Sequence, residues 1–191
     1  MRVIRAPSPP LSWRLRQWTR LDFVFGLLAV RLAHLFSAVT GIVTIHSKLT
    51  AILIRADGTK INYGRLSFRA VTTALVNYMV DELIAETTAW GNFKFHDSGV
   101  GTTAAAVGDT DIETTDGESR VTGSQIEGAT PEKYKSVGTI AYTTTKAITE
   151  HGLFNIATAG ILMDRHVFAA INVDNGDSIE FTYVLTVDEG G

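Results

Sequence analysis

The chain has 191 residues, a formal net charge of −3 and no cysteine, so it can form one ordinary domain but no disulfides or thiolate metal sites. Of its 17 basic and 20 acidic residues, six Arg and one Asp lie in residues 1–47, a net charge of +5, which leaves 11 basic and 19 acidic residues, a net charge of −8, in the rest. Because phosphate contacts need clustered Lys and Arg, we expect no nucleic-acid partner for this acidic part.

The first 47 residues form a basic leader that ends in an apolar run from Phe23 to Ile45. Three interpretations are open: a segment that is unstructured or added by a wrongly assigned start codon, a membrane or signal segment, and a helix that docks on the domain. Arg31 disfavours a membrane span, because an Arg at its centre costs about 2.5 to 3.5 kcal/mol. We therefore expect a leader over 1–47, a structural domain over 48–191 and no membrane partner.

The domain is predicted to open with a β-hairpin. Leu49–Ala56 is apolar and β-prone, and Lys60–Arg69 returns as a second strand. Asp57-Gly58 between them predicts a short turn, since glycine tolerates the positive φ of a type I′ turn.

A change of hydrophobic period then predicts one amphipathic helix over about residues 72–86. Thr72 or Thr73 is a suitable N-cap residue, because its hydroxyl can accept a bond from a free backbone N–H. The apolar residues recur at three- and four-residue spacing and are expected to lie on one buried side: Leu75, Val76, Met79, Val80, Leu83 and Ile84.

An irregular segment from Ser98 to Ser119 follows the short run Trp90–His96, in which Phe93 and Phe95 alternate onto one face. Long irregular loops in a compact domain are uncommon and usually functional, so we predict a surface contact loop. Its glycines resemble a phosphate-binding motif only superficially, since no Gly-Lys-Ser/Thr ending follows, and they are interpreted as giving flexibility. The candidate contact residues are Ser98, Gly99, Gly101, Thr102, Thr103, Asp109, Asp111 and Asp116.

Strand-like runs fill the rest of the chain. Asn175-Gly176 between the last two runs predicts a hairpin, because this dipeptide favours the tight turn. The predicted fold is mainly β, an antiparallel β-sandwich of jelly-roll-like type with one helix. The runs cover residues 120–128, 134–147, 161–173 and 178–187.

Catalytic and metal-binding patterns are not recognisable. The five histidines have no metal-ligand spacing, and the sequence contains neither G-x-S-x-G nor a cysteine nucleophile. Glu150 and His151 are adjacent, so in a strand they would point to opposite faces, and we interpret them as structural turn residues. We predict a protein that is not an enzyme, with no catalytic residue, metal site or cofactor.

Three stretches resemble a family of small structural proteins of tailed bacteriophages and prophages: the G-x-G-T loop at Gly99–Thr102, ITEHGLF at Ile148–Phe154 and LMDR-x-VF-x-AI-x-V at Leu162–Val173. The resemblance covers residues 49–191. It implies a virion protein, a head decoration, tail or fibre component, assembled in the host cytoplasm. It further implies symmetric copies of the chain that contact the major capsid or tail protein.

Two alternatives belong to other classes. A receptor- or glycan-binding fibre module would use Trp90, Tyr134 and Tyr142 as stacking faces, although core or cross-strand packing is favoured for these aromatic residues. A membrane-anchored surface protein would depend on the run Phe23–Ile45 alone.

Overall fold

The fold is mainly β and consists of two antiparallel sheets packed face to face, which confirms the predicted antiparallel sandwich. The computed structural model describes residues 7–20, 24–25, 28–29, 31–32, 35, 43–85, 92–128, 130 and 133–188. Sheet A has the strand order β2-β1-β9-β6-β5, and sheet B has the order β4-β3-β7-β8.

The strand bounds are as follows. Sheet A contains β1 (Thr44–Ile54), β2 (Lys60–Ala70), β5 (Ser124–Glu127), β6 (Lys133–Ala141) and β9 (Ser178–Asp188). Sheet B contains β3 (Phe95–Gly99), β4 (Val121–Thr122), β7 (Lys146–Phe154) and β8 (Leu162–Val173). Helices α1 (Leu11–Trp18) and α2 (Thr73–Ala85) flank the sandwich.

The hydrophobic core lies between the two sheets. In β9 the fully buried residues Ile179, Phe181 and Tyr183 alternate with partly exposed ones, the period expected of a strand with one face in the core. Phe168 of sheet B meets Phe181 of sheet A, with their ring centroids 6.3 Å apart. The apolar residues that alternate along the sequence of β9 are therefore those whose side chains point into the core.

The predicted β1–β2 hairpin is present, but its turn is not of type I′. Gly58 has a φ of +83°, whereas Asp57 keeps a negative φ, and a type I′ turn needs positive φ at both central residues. The amide of Arg55 donates to the carbonyl of Thr59 at 2.8 Å, and Asp57 Oδ1 accepts from the amide of Thr59 at 2.8 Å. The connection between β1 and β2 is therefore longer than a two-residue turn, and the hydrogen bond between Asp57 and Thr59 helps to close it.

The predicted hairpin at Asn175-Gly176 is wrong, because β8 lies in sheet B and β9 in sheet A. The turn crosses from one sheet to the other and is bound by the backbone of Tyr142. The amide of Gly176 donates to the carbonyl of Tyr142, and the amide of Tyr142 donates to the carbonyl of Asp177, both at 2.9 Å. The buried carboxylate of Asp177 also accepts from Arg55 at 2.6 Å. Contacts beyond the turn itself thus determine the direction of the chain.

Another predicted run contains a change of sheet. Residues 120–128 form β4 in sheet B and β5 in sheet A, with the switch at Gly123. A Cβ on Gly123 would lie 2.6 Å from Nε2 of His96, so only glycine lets the chain cross at this point. The run 134–147 likewise contains nearly all of β6 and the first two residues of β7, and most of β7 was not predicted as a strand.

Helix α2 agrees with the predicted helix, and Thr72 is its N-cap, accepting a bond from the amide of Leu75 at 3.2 Å. The predicted buried side is correct for only two of its six residues, Leu75 and Met79. Leu75 and Tyr78 are buried and Met79 is partly buried, because they face the sandwich. The other four of these residues form a second apolar row that faces solvent: Val76, Val80, Leu83 and Ile84 are exposed.

The leader contains a docked helix rather than an unstructured segment over residues 11–18. Trp13 and Gln17 of α1 are buried on β2 and β8, the neighbouring edge strands of the two sheets. Trp13 Nε1 donates to the carbonyl of Ala169 at 2.9 Å. Gln17 Oε1 accepts from the amide of Ala169 at 2.8 Å, and its Nε2 donates to the carbonyl of Leu66. The helix therefore satisfies main-chain groups on both sheet edges.

The predicted domain boundary at residue 47/48 falls inside β1, which begins at Thr44. The apolar run Phe23–Ile45 lies largely outside the described residues. Within the part of the chain that the structure describes, no helix has the length and apolar character needed to cross a membrane.

Candidate functional site

The predicted contact loop is partly strand and partly buried. Ser98 and Gly99 are the last residues of β3 and are buried, as is Gly101. These three residues cannot present a contact surface, because the segment 112–116 and β7 cover them. The remaining candidates are exposed at Thr102, Thr103 and Asp111 and half-buried at Asp109 and Asp116.

Glu150 of β7 holds this loop on the outer face of sheet B. Its side chain is fully buried, and its carboxylate accepts three backbone N–H bonds from the loop. The donors are Gly101 at 2.9 Å, Glu113 at 2.9 Å and Thr114 at 2.8 Å. A buried carboxylate is costly unless it is hydrogen-bonded and paired, and the loop supplies most of the required partners.

Arg165 of β8 supplies the compensating charge. Its Nε donates to Oε2 of Glu150 at 2.7 Å, and its other two nitrogens reach Asp109 and Glu113, each at 3.1 Å. Burial lowers the pKa of Arg165, but bonds and charges from Glu150 and Asp109 outweigh this effect and raise it above its ordinary value. We call Glu150 and Arg165 together the loop clamp.

The glycines of the loop make room for the clamp, which corrects their interpretation as a source of flexibility. A Cβ on Gly99 or on Gly101 would lie 2.5 Å from Oε1 of Glu150. Real Cβ atoms do not approach that closely, so a side chain at either position would displace the carboxylate or the loop.

A second arginine, the half-buried Arg120, anchors the far end of the loop. Arg120 Nε donates to Oδ2 of Asp97 at 2.8 Å, and its guanidinium carbon lies 3.3 Å from the ring centroid of Phe154. Burial raises the pKa of Asp97, and the bond and charge of Arg120 oppose that rise. Above this pair lies a polar groove of about 560 Å³, whose lining includes Asp111, Glu118, Ser119 and Thr158.

Three histidines form a buried polar layer between the sheets. His96 Nδ1 and His151 Nε2 are 2.9 Å apart, and His96 Nε2 is 2.8 Å from Oγ of Ser136. Burial lowers the pKa of His96 to about 4. Burial also lowers the pKa of His151, with smaller contributions from the charges of His96 and His166. Both imidazoles are therefore neutral at physiological pH.

The third histidine belongs to a group that sequence spacing does not reveal. His166 Nδ1 is bonded to Oγ of Ser67, and its Nε2 lies 3.2 Å from Oδ2 of Asp164. The order hydroxyl, imidazole, carboxylate is that of a catalytic triad. All three side chains are buried between the sheets. The group links β2 of sheet A to β8 of sheet B.

Glu150 and His151 do point to opposite faces, as their adjacency predicted. Glu150 faces the loop, whereas His151 faces the core against Phe181, with centroids 4.6 Å apart. They lie in the middle of β7 and not in a turn, which corrects their interpretation as turn residues.

Two of the three aromatic residues suggested for sugar stacking, Tyr134 and Tyr142, are occupied by contacts within the fold. Tyr142 is buried, with its hydroxyl 3.1 Å from Oγ of Ser98, and Tyr134 donates its hydroxyl to the carbonyl of Phe93 at 2.5 Å. Trp90 lies outside the described residues. In those residues, no group of three or more His, Asp or Glu is arranged to hold a metal ion.

The three stretches Gly99–Thr102, Ile148–Phe154 and Leu162–Val173 meet at the loop clamp. Gly101 lies in the first, Glu150 in the second and Arg165 in the third. The clamp itself was missed, because Glu150 and Arg165 lie on different strands and are far along the chain from the loop that they bind. No protein-family model matches the chain, and a comparison with curated proteins finds no match either.

Proposed function

We propose that the chain is a non-enzymatic structural protein of a tailed-bacteriophage virion. It assembles in symmetric copies on the capsid, as a decoration or cement protein, or on the tail, where it contacts the major capsid or tail protein. The observation that carries this proposal is the convergence of all three virion-like stretches on the loop clamp. Those stretches therefore share one structural task, which is to hold a long loop in a fixed shape.

The charged and imidazole side chains that could take part in catalysis are bound to other groups of the fold, which supports a structural role. The clamp residues Glu150 and Arg165 are saturated by each other and by the loop, and Arg120 is committed to Asp97 and Phe154. The three histidines of the buried layer, His96, His151 and His166, lie between the sheets. These groups stabilise the fold, and their arrangement leaves the outer loop surface to make contacts.

The fixed loop suits assembly for an energetic reason. Binding costs less when the contact segment is ordered beforehand, and the clamp orders this segment through buried charge-assisted bonds. The exposed side chains Thr102, Thr103 and Asp111 are thereby presented on a rigid support. Many weak, identical contacts of this kind combine through avidity in a symmetric particle.

The test is to delete the gene from the parent phage and compare cryo-electron microscopy maps of both particles. We expect a symmetric set of densities to disappear and to return when the gene is supplied in trans. A Thr102→Arg variant, changed on the exposed part of the loop, is expected to restore less density than the wild type. An unchanged map, with no peptide of the chain in purified wild-type particles, would rule the proposal out.

A further inference from the structure

Two exposed apolar stripes lie on the helices that flank the sandwich. In α1 the docked residues Trp13 and Gln17 lie on one side, and Leu11, Leu15 and Trp18 lie on the other. Leu11 and Leu15 are 68% and 59% exposed. Large side chains in a row of this kind are unfavourable in water and commonly mark an interaction surface.

The stripe on α2 has the same spacing. Val76, Val80 and Leu83 follow one another at intervals of four and three residues, as do Leu11, Leu15 and Trp18, and Ile84 extends the row. Leu83 and Ile84 are 74% and 76% exposed. Residues at this spacing lie on one face of a helix over two turns, so the two stripes are matched in length.

The charges beside the two stripes are opposite. The α1 stripe is flanked by the exposed arginines Arg14 and Arg16, and residues 7–20 contain no acidic residue. The α2 stripe is flanked by the exposed Asp81. Two α1 stripes facing each other would juxtapose arginines, and two α2 stripes would juxtapose carboxylates, so the favoured pairing is α1 with α2.

We propose that the α1 stripe of one copy packs on the α2 stripe of the next copy of this chain. The contact is heterologous, so repeating it generates a ring or a row rather than a closed pair. A contact of two helical turns is far smaller than the roughly 1,200 Å² of a stable interface, so association of free chains is weak and strengthens only when many contacts form together. This inference rests on the proposed assembling role, and it adds the surface through which the copies meet.

The experiment is a charge swap followed by sedimentation velocity over a concentration series of the full chain. Wild type is expected to associate as concentration rises. Arg14→Glu and Asp81→Lys are each expected to weaken association by about tenfold or more, because each places like charges together. The double variant R14E/D81K is expected to recover association, since it restores the opposite charges in reversed positions.

Leu15→Ser tests the apolar contribution and should abolish association, whereas Lys60→Glu, an exposed charge on β2, is the matched control and should not change it. All these side chains are exposed, and circular dichroism verifies that each variant is folded. The inference is overturned if wild type stays monomeric at every concentration, if L15S associates like wild type, or if R14E/D81K fails to recover.

Flotation with phosphatidylglycerol–phosphatidylcholine vesicles tests whether the α1 stripe binds an anionic membrane instead of a second copy of the chain. Binding of the monomeric wild type to vesicles and its loss in L15S would assign the α1 stripe to an anionic membrane and overturn contact between copies. A chain that stays monomeric in solution, yet whose deletion removes density from the particle, would contradict this inference and leave the virion role standing.

Discussion

The Nε atom of Arg165 donates a 2.7 Å hydrogen bond to Oε2 of Glu150, and both side chains are buried under a loop that follows a different strand. Their strands, β7 and β8, are neighbours in sheet B, so the pair sits on a rigid base. The loop is held by these two side chains and not by secondary structure of its own. Substitutions at the clamp and at its neighbours should therefore have measurable effects.

Glu150→Gln keeps the shape of the side chain but removes the charge that compensates Arg165. Removing one partner of a buried ion pair costs about 3 to 5 kcal/mol, so we expect the free energy of unfolding to fall by about that amount in urea titration. Limited proteolysis should also cut first within residues 102–118. Asp111→Asn, which changes an exposed loop carboxylate, serves as control and should lower stability by far less.

Gly99→Ala tests the space that the clamp requires. The added Cβ would lie 2.5 Å from Oε1 of Glu150, so we expect a loss of about 1 to 3 kcal/mol in the free energy of unfolding, as for other overpacked sites. The matched control is Gly108→Ala in the same loop, where a Cβ would meet no atom within 4 Å. Equal effects of the two substitutions in chemical denaturation would contradict the packing argument.

Acid should destabilise the sandwich through its buried histidines. In the folded chain the pKa of His96 is lowered to about 4, whereas an unfolded histidine titrates near 6.5. Between these values the unfolded state binds a proton that the folded state does not, so stability falls as pH decreases, by about 1.4 kcal/mol per pH unit for this group. His151, whose pKa is also lowered by burial, acts in the same direction.

Urea titration at a series of pH values from neutral to moderately acidic checks this expectation. His96→Gln, which has no group that titrates in this range, should be less stable than wild type near neutrality but should show a shallower pH dependence. A slope unchanged by the substitution would show that the acid sensitivity comes from carboxylates elsewhere in the chain.

Trp13→Ala should release α1 from the sheet edges. Trp13 is 4% exposed and packs edge-to-face on Tyr63 with centroids 4.7 Å apart, so its loss removes most of the apolar contact that holds the helix. Hydrogen–deuterium exchange should then accelerate at the amide of Ala169, which donates to Gln17, while core strand β9 stays protected. Trp18→Ala, at a 57% exposed position of the same helix, should leave that exchange slow.

The period of the apolar residues was sufficient to locate some of the strands and one helix. The strands β1, β2, β8 and β9 and helix α2 were located because their apolar residues repeat with the period of the element. Pattern alone could not assign β7, since Glu150, His151 and Gly152 interrupt its apolar run, nor the second row of α2, whose exposure depends on what packs against the helix. Periodicity shows which residues share a face, not whether that face is covered.

The candidate site was predictable only in its outline. The composition of residues 98–119 indicated a special loop, but its anchors Glu150 and Arg165 lie far along the chain and on different strands. Asn175-Gly176 predicted a turn correctly and its partner strands wrongly, because Tyr142 and Arg55 bind the turn from elsewhere in the fold. Contacts between distant residues carry no local signal in a single sequence.

The position of β9 has a consequence for how the chain can fold during synthesis. This strand is the last of sheet A in chain order, yet it lies in the centre of that sheet and pairs with β1 on one side and β6 on the other. Until Ser178–Asp188 leaves the ribosome, sheet A can exist only as two separate hairpins, β1–β2 and β5–β6, each with an unsatisfied edge. Sheet A should therefore be completed only once β9 has emerged, in a late step that joins the two hairpins.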